Sequence, residues 1–136
     1  MIRKDFIEAE IQKLALVLAR ILGLKNEGNV DDATELAYQT LSDNFGLDAT
    51  CLHTATSEEF QEDLKNRKYS AEKLDMLAQI LFESAYPFQE TEETFAILNK
   101  TAAVFNLLET EYHQQSLENI ARREQIEKFL NNRQYE

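Results

Sequence analysis

Between Asp5 and Leu41 the chain reads as two amphipathic helices joined by a turn, and this hairpin constrains everything that follows it. Phe6, Ile7, Ile11, Leu14, Leu18, Ile21 and Leu22 recur at the spacing that lays one face of a helix against a core. Glu8, Gln12 and Lys13 occupy the other face. From Leu14 to Leu24 the only charged residue is Arg20, so this half of the helix is expected to be covered on more than one side and to form the centre of the fold. Gly23 and Gly28, with Asn26 and Asn29 beside them, tolerate the left-handed backbone that ends a helix. Asp31 and Asp32 then open a second helix, where carboxylates favour the free N–H groups and the positive end of the dipole. Ala33, Leu36, Ala37, Thr40 and Leu41 form its buried stripe, with small residues where two helices approach closely.

The stretch Gly28-x-Val30-x-x-Ala33-x-x-x-Ala37-x-x-Thr40-Leu41 resembles the turn and second helix of a tetratricopeptide repeat (TPR). It departs from that pattern at Val30 and Ala37, where an aromatic is usual, and at Thr40, where alanine is usual. The order of the opening Met1 to Ile7 segment, the hairpin, Phe45-Gly46-Leu47-Asp48 and the final Ser116 to Leu130 stretch is similar to an uncharacterised family of small bacterial TPR-like helical proteins. The resemblance implies a right-handed stack of antiparallel helical hairpins in the bacterial cytoplasm, and implies no particular activity.

Downstream, the second helix is expected to end at Asn44 to Gly46, with Gly46 as its left-handed cap. Leu47 to Ala55 reads as a connector anchored by Leu47 and Leu52. Thr56 and Glu59 have capping-box spacing, and Phe60 and Leu64 give the short third helix a narrow apolar side, that of a lid on a larger core. Ser70 starts a fourth helix with Leu74, Leu77, Ala78, Leu81 and Phe82 on its core stripe, and Pro87 stops it near Ala85 or Tyr86. The fifth begins at Thr91-Glu92-Glu93 and carries Phe95, Leu98, Thr101, Ala102, Phe105 and Leu108. Taken as a second hairpin, helices four and five put Thr94, Leu98 and Thr101 in the places of Ala33, Ala37 and Thr40. The polar run Glu109 to Gln115 reads as a turn, after which Ser116 caps a last helix whose Leu117, Ile120, Ala121, Ile126, Phe129 and Leu130 face the stack. With three Gly and one Pro among 136 residues, an all-α fold of five to six helices is expected, as one domain over residues 1–136.

Charge and cysteine usage narrow the function. The net charge is -11, and the segment from Asn26 to Leu64 contains no Lys or Arg, a surface that repels phosphate backbones; nucleic-acid binding is disfavoured. The Leu14 to Leu24 run is too short to span a bilayer, and a lone Cys51 fits a reducing compartment, so a soluble cytoplasmic protein is expected. Cys51-x-His53 falls short of the four ligands of a structural zinc site. No phosphate loop, nucleophile elbow or calcium-loop spacing appears. No catalytic residues, no metal and no cofactor are expected.

What remains is surface. The reading is a non-catalytic helical scaffold that binds another protein, or itself, through a helix face beside helices one and four. Leu16, Val17 and Arg20 are the residues proposed for that contact. The extra apolar width of Leu16, Val17 and Ala19 is expected to be covered by helix four and the last helix. The alternative is a small-molecule-binding or enzymatic bundle with a buried polar pocket. That would bring Glu83, Tyr86, Glu109 and His113 together, lined by Tyr38, Tyr69, Tyr86 and Tyr112.

Overall fold

A computed structural model describes the backbone of residues 2–134 and the side chains of residues 6–132. The described residues form helices and turns with no strand: α1 (Ile2–Asn26), α2 (Val30–Phe45), α3 (Ala49–Thr54), α4 (Ser57–Arg67), α5 (Ala71–Ala85), α6 (Glu92–Glu111) and α7 (Leu117–Gln134). The fold is all-α. Its seven helices exceed the five or six expected because the presumed connector after Leu47 contains α3. Asp48 starts that helix, its Oδ1 accepting the Cys51 N–H at 2.8 Å. Among the described residues no helix is long and apolar enough to cross a membrane.

Local chemistry sets the other boundaries. Gly46 sits at φ 64, and the N–H groups of Gly46 and Leu47 close α2 onto the Ser42 and Leu41 carbonyls, the double bond of a glycine-terminated helix. Thr56 and Glu59 form the reciprocal capping box, at 3.1 and 2.9 Å. Ser70, Thr91 and Ser116 each accept the N–H three residues on, opening α5, α6 and α7. The turn after α6 passes through His113 at φ 54. Gly23 does not turn the chain; it lies inside α1, and Gly28 at φ 85 makes the turn.

The centre lies elsewhere than expected. One core cluster runs from Leu14 to Ile126, and α5 and α6 pass through its middle: α5 touches α1, α2 and α6, while α6 touches α3, α4, α5 and α7. In α6, Ile97, Leu98, Val104, Phe105, Leu107 and Leu108 are all buried. By contrast, α1 is an edge helix against α2 and α5, and among its described side chains buries Leu14, Ile21 and Leu24 alone. Each such side chain contributes roughly 2 kcal/mol when taken fully out of water. Phe6 and Ile7 remain exposed at the outer end of α1, and Leu22 is exposed along its side. Among the described side chains of α7 only Ile126 is buried, with Phe129 and Leu130 partly so; Leu117, Ile120 and Ala121, read as core-facing, lie exposed. The apolar count of a helix does not say how many neighbours it has. α4 does lie as a lid, with Phe60 and Leu64 buried against α6, and Leu47 and Leu52 are buried anchors.

Candidate functional site

Two clefts open between these helices. The first, about 360 Å³, is walled by α1, α5 and α7. Leu22 comes from α1, Phe82 from α5, and Ala121, Arg122 and Gln125 from α7. Lys25 sets its closed end. The ammonium donates to the Glu83 carboxylate at 2.7 Å, to the Glu83 carbonyl at 2.7 Å and to the Tyr86 carbonyl at 2.6 Å, and stands 5.4 Å from the centre of the Tyr86 ring. Next to the α7 wall, on residues that do not line the cleft, Asp75 accepts from Gln79 at 2.9 Å and from Asn119 at 2.7 Å, and Asn119 in turn accepts from Arg122 at 2.9 Å. This chain ties α7 to α5. Arg122 makes no ion pair among the described residues, so the remaining donors of its guanidinium fork are available on that wall. Further along α7, Arg123 and Gln115 donate to Glu109 and hold its carboxyl below the usual range.

The second cleft, about 510 Å³, lies between α2, the α5–α6 connection and the first turn of α6. Asp31, Glu35 and Glu93 line it, with no Lys or Arg. Burial, helped by the Glu93 charge, raises the Tyr38 phenol above its ordinary value. The Tyr38 hydroxyl lies 3.5 Å from His53 Nε2, with the two rings edge to face. Asp31 and Glu93 stand in the first turns of α2 and α6, where the dipoles already favour negative charge.

Leu16, Val17 and Arg20, the residues proposed from sequence for a partner contact, line neither cleft. Leu16 and Arg20 are exposed on α1, and Val17 packs half-buried against the core, because successive helical positions point about 100° apart. The expected covering of Leu16 and Ala19 by the fourth and last helices does not occur; both are exposed. Nor do Glu83, Tyr86, Glu109 and His113 converge. Glu83 and Tyr86 stand at the end of α5 beside Lys25, while Glu109 and His113 stand at the far end of α6. Tyr38 and Tyr86 line the acidic cleft, whereas the Tyr112 hydroxyl donates to the Tyr69 carbonyl at 2.8 Å at the other end of the molecule.

Three buried hydroxyls serve the backbone: Thr40, Thr101 and Ser84 donate to carbonyls of their own helices, while the Thr94 hydroxyl accepts from Thr91 at 3.0 Å. Lys100, buried on α6, makes no hydrogen bond or ion pair among the described residues, and burial lowers its pKa. Cys51 is a free, half-buried thiol. Among the described residues no three His, Cys, Asp or Glu side chains stand together as metal ligands. The residues that shape the first cleft, Lys25, Phe82 and Arg122, lie on three helices and share no spacing in the chain. No family model, curated protein or solved structure gives a match to this chain.

Proposed function

We propose that this protein is a non-catalytic interaction module: a TPR-like, right-handed stack of helical hairpins that holds a segment of another protein in the groove between α1, α5 and α7. The observation that carries this reading is an open cleft whose walls combine exposed Leu22 and Ala121 with Arg122, which makes no ion pair among the described residues, braced by Lys25 and the Asp75–Asn119 contact. A mixed apolar and polar wall of this kind offers shape and a few oriented donors to a chain laid along it. The neighbour order supports hairpins laid side by side, since α1 and α2 both touch α5, and α5 touches α6. The cytoplasm of a bacterium remains the expected setting.

The second reading, a small-molecule-binding or enzymatic bundle, draws support from the larger acidic cleft. It ranks below the first because the buried hydroxyls already bond their own helices. Affinity capture with tagged wild type and Leu22→Glu, read by mass spectrometry, separates the two. A stoichiometric protein retained by wild type and lost from the folded variant supports the interaction module. No retained protein, together with a screened small molecule that raises Tm, supports the second reading and contradicts the first.

A further inference from the structure

The face of α6 covered by α3 and α4 carries a buried amine beside the chain's single thiol. Lys100 is 3% exposed, and its ammonium makes no hydrogen bond or ion pair among the described residues. An ammonium taken out of water without a partner costs stability, and an apolar side chain of the same length would fill the space. Two groups stand close enough for their charges to reach it: Cys51, in the first turn of α3, and Glu59, in the first turn of α4. Almost one turn further along α6, Gln61 of α4 donates to the Ala103 carbonyl at 3.0 Å and fixes this face against α4. The Glu59 carboxylate already accepts the Thr56 N–H at 2.9 Å, whereas Cys51 is a free, half-buried thiol. His53, two residues beyond Cys51, sets its Nε2 3.5 Å from the Tyr38 hydroxyl, so the basic group beside the sulfur comes from α6.

We propose that Cys51 is a peroxide-reactive thiol, with the Lys100 ammonium as its counter-charge and proton donor. The thiolate is the form that attacks electrophiles, and a neighbouring cation favours it. Size and charge select the oxidant. The segment from Asn26 to Leu64 carries acids and no Lys or Arg, a surface that repels anionic disulfides, and a half-buried sulfur admits small reagents most easily. Hydrogen peroxide is small and uncharged. In the reaction the thiol proton passes to the Lys100 amine and the sulfur attacks one peroxide oxygen. An S–O bond forms as the O–O bond breaks, and the departing hydroxide takes a proton from the ammonium and leaves as water. The sulfur is oxidised to a sulfenic acid and the peroxide is reduced. Burial lowers the Lys100 pKa, so this group releases its proton more readily than an exposed lysine. With no second Cys in the chain, the sulfenic acid has no internal thiol to condense with. None of α3, α4 and α6 walls the groove, so the site is separate from it.

Treatment of the full chain with hydrogen peroxide in the presence of dimedone, which captures sulfenic acids, tests it, with Cys51→Ser as the blank. Wild type is expected to acquire dimedone at Cys51, about tenfold faster than folded Lys100→Met or Lys100→Gln. A change in exposure alone would alter all reagents alike, so a second measurement separates charge from packing. Alkylation of Cys51 by anionic iodoacetate should fall further in both Lys100 variants than alkylation by neutral iodoacetamide. No dimedone at Cys51 in wild type, equal rates of capture with and without Lys100, or an iodoacetate-to-iodoacetamide ratio that neither variant moves overturns the proposal.

Discussion

Lys25, in the last turn of α1, places its ammonium 2.7 Å from the Glu83 carboxylate near the end of α5, with the two side chains only 13% and 15% exposed. Because the same ammonium takes the Glu83 and Tyr86 carbonyls, one helix supplies the C-terminal cap of another. A positive charge at that end also opposes the negative end of the α5 dipole. The spacing of α1 and α5, and with it one end of the groove, depends on this contact.

Lys25→Met is therefore expected to lower unfolding stability by about 2 kcal/mol, because it leaves a largely buried carboxylate without its partner. Glu83→Gln should lower it by about 1 kcal/mol, as the carbonyl bonds from Lys25 survive. Urea denaturation of the two variants measures this. Losses below about 0.5 kcal/mol in both would mark the pair as a solvated surface contact.

Lys100 gives the fold a pH dependence. Burial lowers its pKa from 10.5, so the folded chain releases this proton before the unfolded chain does. Between those two values the unfolded state binds more protons, and stability rises with pH. Below that window the charged form carries a desolvation cost, partly offset by the nearby Glu59 charge. Lys100→Met is expected to be more stable than wild type by about 1 kcal/mol at neutral pH, with the gap narrowing as pH climbs towards 10.5. Denaturation midpoints of both proteins across that range give the answer; a gap that widens contradicts it.

Glu109 shifts stability in the same direction, in the acid range. Arg123 and Gln115 hold its pKa below 4.5, so its contribution is present above that value and is lost as pH falls through the folded value. Arg123→Ala should speed amide hydrogen exchange along α7 at neutral pH. The difference from wild type should vanish in acid.

Two glycines should respond in opposite directions. Gly46→Ala forces a side chain onto φ 64 and is expected to cost about 1 kcal/mol. Gly23→Ala, at helical torsions in open space, is expected to add up to about 1 kcal/mol to stability. Thermal denaturation of the two variants decides both.

The contrast between these glycines shows what the sequence could convey. Gly46, Thr56 with Glu59, Ser70 and Pro87 announce helix ends because a cap is satisfied within a few residues of itself. Asp48 carried the same kind of signal for α3, but six residues are too few for a periodic pattern to confirm it. Leu14 and Leu16 cannot be ranked by such signals. One is fully buried and the other mostly exposed, because only the placement of α5 and α2 decides which side of α1 is covered. The groove was hidden for the same reason, since Leu22, Phe82 and Arg122 meet only after three helices pack.

The central claim is that the groove between α1, α5 and α7 receives a peptide segment. Amide NMR of the labelled protein, titrated with peptides selected from a displayed random library, tests it most directly. Shift changes should concentrate at Leu22, Phe82, Ala121 and Gln125 and disappear in Leu22→Glu. Changes centred on the acidic cleft, or a library that yields no binder to the folded protein, would contradict the claim.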